Sequence, residues 1–221
     1  MERKYELTNE TREFHGRVLH RIRALKDFGS VRAGDLGGWV EKEDNLSQFG
    51  ACWVCENARV YGDARVHGTA QVCGSARVYG DAQVCGSARV YGNARVCENA
   101  WVGGNTWVGG DAQVYENAQV CGNAQVYGNA QVYGNAAITG CMHIQKTRDY
   151  LTVGPVGSRN NFTTFAKDQN GNVAVSCGCF YGTLDEFSEK VWATHGNNNF
   201  GVEYRAAIEL AKAHFTEEEA K

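Results

Sequence analysis

Residues 54–66 read Val-Cys-Glu-Asn-Ala-Arg-Val-Tyr-Gly-Asp-Ala-Arg-Val, and the six-residue unit that they introduce continues without a break to Ile138. An aliphatic residue, valine in every unit but the last, returns at each sixth position. These positions are 54, 60, 66, 72, 78, 84, 90, 96, 102, 108, 114, 120, 126, 132 and 138. A small residue, usually alanine, stands two places before the aliphatic one, and glycine with a small polar residue follows it. The stretch is therefore a tandem repeat of Ala-x-Val-x-Gly-Asn.

The spacing inside the unit predicts one short strand per repeat. In an extended strand, residues two apart share a face, so Ala and Val point one way and the Arg or Gln between them points the other. Glycine followed by Asn or Asp tolerates the positive φ of a sharp corner, so the chain bends after every strand. A helix does not fit, because six is not a multiple of about 3.6 and the many glycines and β-branched residues oppose it. The repeat predicts a coil of strands.

The repeat resembles the hexapeptide-repeat family of left-handed parallel β-helices, whose motif has a small residue four positions after an aliphatic one, as in Val60-Tyr-Gly-Asp-Ala64. That resemblance implies three hexads on each triangular coil, so residues eighteen apart become vertical neighbours at a strand spacing of about 4.8 Å. We therefore predict a mainly β chain in three segments. They are an N-terminal β-cap over residues 1–30, a left-handed parallel β-helix over 31–141 and a small C-terminal α+β module over 142–221.

The segment before the repeat predicts a cap on the entrance of the β-helix. Residues 17–25, Arg-Val-Leu-His-Arg-Ile-Arg-Ala-Leu, alternate as a strand does. We expect Thr8-Asn-Glu-Thr11 to turn a preceding strand back onto this one. The arginines at alternate positions are interpreted as a solvated strand face, with an anion site as the alternative.

The first coil is predicted to begin before the regular repeat does. Leu36-Gly-Gly-Trp-Val40 and Leu46 keep a residual six-residue spacing. The spacing from Leu46 to Val54 is eight residues, so a two-residue bulge at Gln48-Phe-Gly50 is expected to interrupt the corner.

Stacking by eighteen sorts the outward residues into three walls, and one of them is rich in arginine and tyrosine. We call it the Arg/Tyr wall; it also carries Cys97, Gln113, Gln131 and Tyr133. Because Arg and Tyr are enriched at the centres of protein interfaces, this wall is the predicted surface for a protein partner. The predicted partner-binding residues are Arg59, Tyr61, Arg77, Tyr79, Arg95 and Tyr115. The alternative is that the tyrosine ladder only supports the sheet.

Charge and composition bound the class of protein. The net charge of −3 gives no global signal for direct nucleic-acid binding. No apolar run is long enough to cross a bilayer and residues 1–20 lack the apolar core of a secretion signal, so we expect a soluble cytoplasmic protein without a membrane partner. An odd number of cysteines, nine, then predicts reduced thiols. Cys52 and Cys55 form one CxxC without a second pair at zinc spacing, so no metal site is predicted.

The coil lacks the groups that its enzyme relatives need. The resemblance implies that hexapeptide acyltransferases use a catalytic histidine and a loop leaving the coil, and that related carbonic anhydrases bind metal through histidines. Between Val54 and Ile138 there is a single histidine, His67, and no insertion. We therefore predict a non-enzymatic protein with no cofactor and no catalytic residues.

After Gly140 the repeat stops and an α+β pattern begins. Strands are predicted at 150–153, 163–166 and 172–176, the last two joined by the hairpin turn Asp168-Gln-Asn-Gly171. Thr183-Leu-Asp-Glu186 is a capping box that opens a helix ending near His195, with Gly196 as its stop. A second helix is predicted from about Phe200 to Phe215. Its apolar positions are Val202, Ala206, Leu210 and Ala213.

The C-terminal module also contains candidate ligand-binding residues. Gly154-Pro-Val-Gly-Ser-Arg159 offers backbone donors and a guanidinium to a phosphate or carboxylate, and a histidine and an asparagine after the first helix are suited to a base or sugar. The predicted phosphate or nucleotide site consists of Gly157, Ser158, Arg159, Thr163, Cys177, Cys179, His195 and Asn197. Two alternatives remain: ordinary turns with a helix C-cap at His195, and a Cys177 or Cys179 nucleophile acting with His195.

The arrangement also resembles uncharacterised proteins of bacteriophages and prophages. Leu36-Gly-Gly-Trp-Val40 opens the repeat in this likeness, and Cys177-Gly-Cys-Phe-Tyr-Gly-Thr-Leu-Asp-Glu-Phe187 closes it. The resemblance implies an accessory protein in the cytoplasm of an infected bacterial host, with antagonism of host defence as its role. Our first hypothesis is sequestration of a phosphate-bearing nucleotide signal by the C-terminal module. The alternatives are an inhibitor that binds a CRISPR or other defence effector through the Arg/Tyr wall, and a purely structural scaffold.

Homo-oligomerisation is expected on physical grounds. A β-helix ends in exposed strand edges, which must be capped or paired. A second copy of the chain is one way to pair them.

Overall fold

A computed structural model describes residues 2–216, so the extreme ends of the first and last predicted segments lie outside the described residues. The chain forms an antiparallel hairpin, a parallel β-helix and an antiparallel sheet with two helices, in that order. The mainly β class and the parallel β-helix predicted from the repeat are confirmed. The described part of the chain has no helix that is both long and apolar enough to cross a membrane.

The β-helix has three walls of parallel strands, most of them two residues long. The Arg/Tyr wall contains β3 (Leu36–Val40), β5 (Arg59–Val60), β8 (Arg77–Val78), β11 (Arg95–Val96), β14 (Gln113–Val114) and β17 (Gln131–Val132). The second wall contains β4 (Trp53–Val54), β7 (Gln71–Val72), β10 (Arg89–Val90), β13 (Trp107–Val108), β16 (Gln125–Val126) and β19 (His143–Ile144). The third wall contains β6 (Arg65–Val66), β9 (Gln83–Val84), β12 (Trp101–Val102), β15 (Gln119–Val120) and β18 (Ala137–Ile138).

From β4 to β16, each strand pairs with the strand eighteen residues further on. Gln113 lies beside Gln131, and Val114 lies beside Val132. The valines and alanines of the repeat are buried inside the prism, as the six-residue period predicts. Glycines turn the corners at positive φ; a Cβ on Gly86 would lie 2.8 Å from the backbone nitrogen of Gly104, so the close stacking of corners excludes larger residues there.

Backbone hydrogen bonds between coils run in both directions, as in any parallel sheet. The residues on either side of each inward valine donate their N–H groups to the following coil, as from Tyr115 to Val132 at 3.0 Å, whereas the valine N–H points to the preceding coil. Carbonyls such as that of Leu46 in the first coil and N–H groups such as that of Ala137 in the last coil therefore have no partner within the repeat. Both ends need partners supplied from outside the repeat.

The N-terminal hairpin consists of β1 (Tyr5–Phe14) and β2 (Arg17–Ala24), and β2 pairs with β3. The turn lies at His15-Gly16, where Gly16 has φ 73°. The expectation of a turn at residues 8–11 is therefore wrong. Those residues continue β1 through an irregularity in its register, because glycine is present only at the later position.

The first coil begins where the sequence predicts it. Leu46 pairs with Val66, twenty residues on, whereas Val54 pairs with Val72, eighteen residues on. Two extra residues must therefore leave the corner between Leu46 and Val54. The Phe49 side chain is 64% exposed there, as expected for the bulge.

The hairpin supplies hydrogen-bond donors to the free carbonyls of the first coil. The Tyr5 hydroxyl donates to Leu46 at 2.7 Å and is also 3.0 Å from the carbonyl of Glu43. The buried Lys4 ammonium donates to the carbonyl of Cys52 at 2.9 Å. Burial lowers the pKa of Lys4, while the neighbouring Cys52 thiol raises it by a smaller amount.

The β-helix extends slightly further than predicted. Strand β19 pairs with β16, with Ile144 beside Val126, so the coil ends at about residue 144 and not at 141. Met142 fills the inward position that alanine holds in earlier repeats. Because methionine replaces the small residue of the repeat here, the repeat pattern does not predict the last strand, β19.

The C-terminal sheet has four antiparallel strands: β20 (Tyr150–Val156), β21 (Asn161–Lys167), β22 (Val173–Cys177) and β23 (Phe180–Thr183). Only three strands were predicted. The missing one, β23, follows a tight turn at Gly178, which has φ 60°. The helices α1 (Leu184–His195) and α2 (Asn199–Phe215) match their predictions, and the Thr183 hydroxyl accepts from the N–H of Glu186 in the expected capping box.

Helix α2 turns the opposite face to the sheet from the one predicted. Its buried residues are Gly201, Tyr204, Ala207, Ile208 and Ala211. The residues predicted to be its apolar face are exposed: Val202, Ala206, Leu210 and Ala213. Both faces are apolar, so periodicity alone does not decide which one packs on the sheet.

The C-terminal module supplies hydroxyl acceptors to the free N–H groups of the last coil. The bonds run from Gln131 to Thr147 at 3.0 Å, from Tyr133 to Tyr150 at 3.3 Å, from Ala137 to Thr164 at 3.0 Å and from Cys141 to Tyr181 at 2.9 Å. The chain therefore covers both ends of its own β-helix. Pairing of exposed strand edges no longer gives a reason for homo-oligomerisation.

One cysteine pair departs from the sequence prediction of reduced thiols. Cys55 and Cys73 form a disulfide, with Cα atoms 4.7 Å apart. They are eighteen residues apart and so are vertical neighbours on one wall, which brings their side chains together. The other seven cysteines are free thiols.

Candidate functional site

The C-terminal module contains a cavity of about 200 Å³ beside both helices. We call it the module pocket. The residues that line it are Ser158, Arg159, Cys177, Cys179, Phe180, Phe187, Lys190, Val191, Thr194, His195 and Tyr204. Phe187, Val191 and Tyr204 are buried and form its floor, whereas Arg159 and Lys190 are exposed at its rim.

Five of the eight predicted ligand-binding residues line this pocket. They are Ser158, Arg159, Cys177, Cys179 and His195. The turn after β20 carries the first two, β22 ends at Cys177, the turn between β22 and β23 carries Cys179, and the last residue of α1 is His195. A sixth, the buried Thr163, lies behind the pocket, and its hydroxyl donates to the Cys177 sulfur at 3.2 Å.

Two predicted residues do not face the pocket as expected. The N–H of Gly157 donates to the Glu203 carboxylate at 2.7 Å, so this backbone donor is not free for a phosphate. Gly157 instead gives space to the Tyr204 ring, into which a Cβ would collide. Asn197 accepts a hydrogen bond from Arg205 at 3.4 Å, outside the pocket.

The sequence also carried a signal for residues that were missed. Phe187, Lys190, Val191 and Thr194 are spaced by three and four along α1, so they share the helix face that looks into the pocket. This spacing predicts a shared face as soon as the bounds of α1 are known. The contribution of Tyr204 does not follow from it, because Tyr204 reaches the pocket from the second helix.

The electrostatics of the module pocket favour an anion. Arg159 and Lys190 are basic side chains, and no aspartate or glutamate is among its lining residues. The Arg159 guanidinium lies 3.8 Å from the Cys179 sulfur, so one contact holds the arginine at the rim. Two exposed cations over an apolar floor give a site that takes a negatively charged group at its mouth.

The floor of the pocket carries an uncharged phenol. Burial raises the pKa of Tyr204 to about 12, and the neighbouring Cys177 adds to this while Arg159 opposes it. The Cys177 thiol is 3.9 Å from the Tyr204 hydroxyl. The His195 ring lies 5.6 Å from the Tyr204 ring, at 30° between their planes. The floor is therefore aromatic, and the phenol of Tyr204 is uncharged near pH 7. Within residues 2–216 no cluster of His, Cys, Asp and Glu is suited to hold a metal ion.

The upper half of the Arg/Tyr wall, which is the half nearer the N-terminal end of the β-helix, is covered by the N-terminal hairpin. Phe14 lies 4.4 Å from the Arg59 guanidinium and 5.2 Å from that of Arg77, and its ring is 5.7 Å from the ring of Tyr61. Tyr61 is buried and stacks on Tyr79 at 5.0 Å. Burial, followed by repulsion from neighbouring arginines, lowers the pKa of Arg59. Arg59 and Tyr61 are thus part of the packing beneath the hairpin and not of an open surface.

The lower half of the wall remains open and leads into a second cavity. Arg95 and Tyr133 are exposed, and Tyr115 stacks on Tyr133 at 5.3 Å. A cavity of about 620 Å³, which we call the seam cavity, lies where the wall meets the C-terminal module. Its lining residues are Tyr133, Gly134, Asn135, Thr147, Arg148, Tyr150, Leu151, Thr152, Phe162 and His214.

The repeat can be compared with known proteins. Residues 70–86, 88–104 and 118–134 match the model of the YdcK β-solenoid repeat. The coil is similar to a β-solenoid repeat. The chain is also 39% identical over 71 residues to a protein of Escherichia coli (strain K12) described as "Uncharacterized acetyltransferase YdcK". That similarity covers 28% of this chain and 22% of the relative, so the chain spans about a fifth of the length of the curated relative that it matches.

Proposed function

We propose that this chain is a non-enzymatic binding protein that takes a phosphate-bearing, nucleotide-type ligand in the module pocket. The observation that carries the proposal is the combination of Arg159 and Lys190 at the rim with an aromatic floor and no lining carboxylate. Guanidinium and ammonium groups bind phosphate oxygens through charge-assisted hydrogen bonds. Aromatic side chains beside them provide apolar surface for a sugar or base.

The size of the module pocket limits what it encloses. At about 200 Å³ it is smaller than the roughly 300–1,000 Å³ of most small-molecule sites. It therefore holds one phosphate with its neighbouring group, and the rest of a larger nucleotide extends past the rim. Mononucleotides and the ends of dinucleotide-type signals both meet this condition.

The biological setting that we propose is the cytoplasm of an infected bacterium, where a phage accessory protein sequesters a nucleotide signal of host defence. The support for it is local. The segment from Cys177 to Phe187, which carries the resemblance to phage proteins, supplies four lining residues of the pocket. The β-solenoid would serve as the rigid support of this module.

Isothermal titration calorimetry with inorganic phosphate, AMP, a cyclic dinucleotide and ADP-ribose tests the proposal. We expect heat with at least one nucleotide, and affinity reduced about tenfold by Arg159→Gln and by Lys190→Gln. Arg65→Gln, an exposed arginine on the third wall, is the matched control and should bind as the unmodified protein does. Absence of heat with every compound would remove the proposal.

A second candidate is an inhibitor that binds a defence protein through the lower Arg/Tyr wall and the seam cavity. The specific observation in its favour is the continuity of Arg95, Tyr115 and Tyr133 with the aromatic lining of a 620 Å³ cavity. Biolayer interferometry with a purified CRISPR effector tests it. Arg95→Glu should abolish binding without loss of fold, and unchanged binding would eliminate this surface.

Acetyl transfer enters as an alternative because of the name of the relative. The described coil contains two histidines, His67 and His143; the latter contacts the Tyr127 hydroxyl and lies 3.3 Å from the Gln145 amide nitrogen. Release of free thiol from acetyl-CoA, in the presence of amine acceptors, would support it if His67→Ala or His143→Ala stopped the release. No release favours the binding functions. If all three experiments are negative, the scaffold function remains.

A further inference from the structure

Lys4 and Cys52 form a buried polar pair between the N-terminal hairpin and the first coil. The Lys4 side chain is 1% exposed and Cys52 is fully buried. The Lys4 Nζ atom lies 3.2 Å from the Cys52 Sγ atom and 2.9 Å from the carbonyl oxygen of the same residue. Among the free cysteines of residues 2–216, Cys52 is the one whose sulfur has a hydrogen bond with a lysine. An amine and a thiol are therefore held in contact away from solvent.

The Lys4 ammonium has no carboxylate to compensate its charge. None of the ion pairs among the described side chains includes Lys4. Lys26 nearby has a charge of the same sign, and the ring of Phe28 lies 5.1 Å from Nζ. Burial without a counter-charge disfavours the ammonium form, so it lowers the pKa of Lys4, and the Cys52 thiol opposes this only in part. The neutral amine, which is the nucleophilic form, is therefore more populated here than on a lysine in water.

The Cys52 sulfur lies directly beneath the bulge of the first coil. Its Sγ atom is 3.5 Å from the carbonyl oxygen of Ser47 and 3.7 Å from that of Phe49. The bulge belongs to no strand, and the Phe49 side chain is 64% exposed. Surface segments without strand pairing open locally at a low cost in free energy. A small uncharged oxidant such as hydrogen peroxide therefore needs only a local opening to reach the sulfur.

We propose that Lys4 and Cys52 are a site of oxidative cross-linking, at which peroxide produces a direct bond between Nζ and Sγ. In the first step hydrogen peroxide transfers one oxygen atom to the thiol, which gives a sulfenic acid and water. In the second step the amine attacks the sulfur. The N–S bond forms, the S–O bond breaks, and the hydroxyl group leaves as water with one proton of the amine. The sulfur is oxidised, the peroxide is reduced, and the two side chains together lose two hydrogen atoms.

The geometry favours this reaction at Cys52 over the other basic contact of a cysteine. A separation of 3.2 Å between Nζ and Sγ lies within the range of about 3–3.5 Å expected for reacting atoms. Sulfenic acids are known to condense with nitrogen in this way. The Cys179 sulfur also has a basic neighbour, the Arg159 guanidinium at 3.8 Å, but a guanidinium keeps its proton and is not a nucleophile.

The cross-link would attach the hairpin to the coil covalently. Lys4 directly precedes β1, and Cys52 directly precedes β4, so the bond joins positions 48 residues apart. Closing this loop restricts the unfolded chain and so stabilises the folded one. A thiol reductant reverses the bond by attacking the sulfur and releasing the amine. The cap would thus be fastened by an oxidant and released by a reductant, and the module pocket takes no part in this.

Peptide mapping of the full-length protein tests the proposal. The protein is treated with hydrogen peroxide, its free thiols are alkylated, and it is digested with trypsin. Residues 4–12 and 43–59 should then be recovered as one linked pair, two hydrogen atoms lighter than their sum, with residues 66–77 attached through the Cys55–Cys73 disulfide. Dithiothreitol should separate them. The exposed Cys141 reports that the oxidant has acted. Oxidation of Cys141 without a linked pair would overturn the proposal, and a pair that contains an additional oxygen atom would contradict a direct N–S bond.

Variants assign the bond to the two side chains. Lys4→Met keeps an apolar stem and removes the amine, so no linked pair should form. Lys26→Met makes the same change at the neighbouring exposed lysine, and it is the matched control that should link as the unmodified protein does. Cys52→Ala also abolishes the link, and it keeps the fold because alanine holds the equivalent inward position at Ala58. A linked pair in Lys4→Met or in Cys52→Ala would contradict the assignment.

Urea unfolding measures the consequence of the bond for stability. Peroxide should raise the denaturation midpoint of the unmodified protein and of Lys26→Met, and dithiothreitol should reverse the part of this gain that depends on Lys4. Peroxide should not raise the midpoint of Lys4→Met. An equal rise in Lys4→Met and in the unmodified protein would show that the cross-link does not fasten the hairpin.

Discussion

The hydroxyl of Thr164 accepts a hydrogen bond of 3.0 Å from the backbone N–H of Ala137. At the other end of the β-solenoid, the hydroxyl of Tyr5 donates one of 2.7 Å to the carbonyl of Leu46. The two contacts have opposite polarity because the residues on either side of each inward valine donate their N–H groups to the following coil. At these positions the hairpin supplies donors to the first coil and the module supplies acceptors to the last coil.

The first prediction concerns the contact between the C-terminal module and the last coil. Thr164→Val keeps the shape of the side chain but leaves the N–H of Ala137 without an acceptor. Thr164 is buried, so we expect the free energy of unfolding to fall by about 1–3 kcal/mol. Urea denaturation followed by circular dichroism measures the change. Thr11→Val, at an exposed position of β1, is the control and should change stability little; an equal loss in both variants would contradict the prediction.

The second prediction concerns the one repeat in which threonine replaces the inward alanine. Thr106 is fully buried, and its hydroxyl has no hydrogen-bond partner within the described residues. Thr106→Val removes this unpaired hydroxyl at constant volume, so stability should rise by about 1 kcal/mol. Thermal unfolding measures it. Thr106→Ser keeps the hydroxyl and loses the methyl group, so it should not share the gain; stabilisation by serine would rule out this explanation.

The third prediction concerns the contact between the hairpin and the Arg/Tyr wall. Phe14→Ala removes the ring that lies over Arg59 and Arg77. The loss of packing and of cation–π contact should destabilise the protein by about 2 kcal/mol. Phe49→Ala changes the same residue type at a site that is 64% exposed and should have little effect. Equal stability of the two variants in urea would show that the hairpin contact is not stabilising.

The fourth prediction concerns alkaline pH. Burial raises the pKa of six tyrosines: Tyr5, Tyr61, Tyr79, Tyr115, Tyr150 and Tyr204. A raised pKa favours the neutral phenol in the folded state, so the stabilisation is complete below pH 10 and is lost as pH rises towards about 12, the value for Tyr150 and Tyr204. The lowered pKa of Lys4 acts in the opposite direction but concerns one group. Stability should therefore fall across this range.

Urea unfolding at increasing pH, with tyrosinate absorbance recorded in parallel, measures the effect. The absorbance of the buried phenols should appear together with loss of structure and not before it. Tyr150→Phe should flatten the dependence on pH, since one raised pKa is removed. A dependence identical to that of the unmodified protein would contradict the role assigned to burial of this tyrosine.

The repeat made the β-solenoid predictable, whereas its coverings depended on contacts that periodicity does not report. Valine at every sixth position can be buried only in a coil of strands, and the spacing from Leu46 to Val54 shows the bulge directly. The packing of Phe14 over Arg59 joins residues from distant parts of the chain. Neither segment contains a sequence pattern that predicts this contact. The sequence therefore predicts an open Arg/Tyr wall, whereas in the structure the N-terminal hairpin covers half of it.

The module pocket was predictable to a similar extent. Its turns carry unusual residues in short segments, so Ser158, Arg159 and Cys179 were found. Gly157 was misread because its N–H is taken by Glu203, forty-six residues later. The choice between the two apolar faces of α2 also depends on how the helix packs on the sheet, which its own sequence does not contain.

The sealing contacts at the two ends involve mainly the terminal coils, while the inner coils meet chiefly each other and the core. Inserting eighteen residues between Tyr79 and Tyr115 would thus add one coil and lengthen the β-solenoid by about 4.8 Å. The hairpin and the C-terminal module would keep their contacts with the terminal coils. The distance between hairpin and module is in this sense an adjustable dimension, set by the number of repeats and independent of what either end holds.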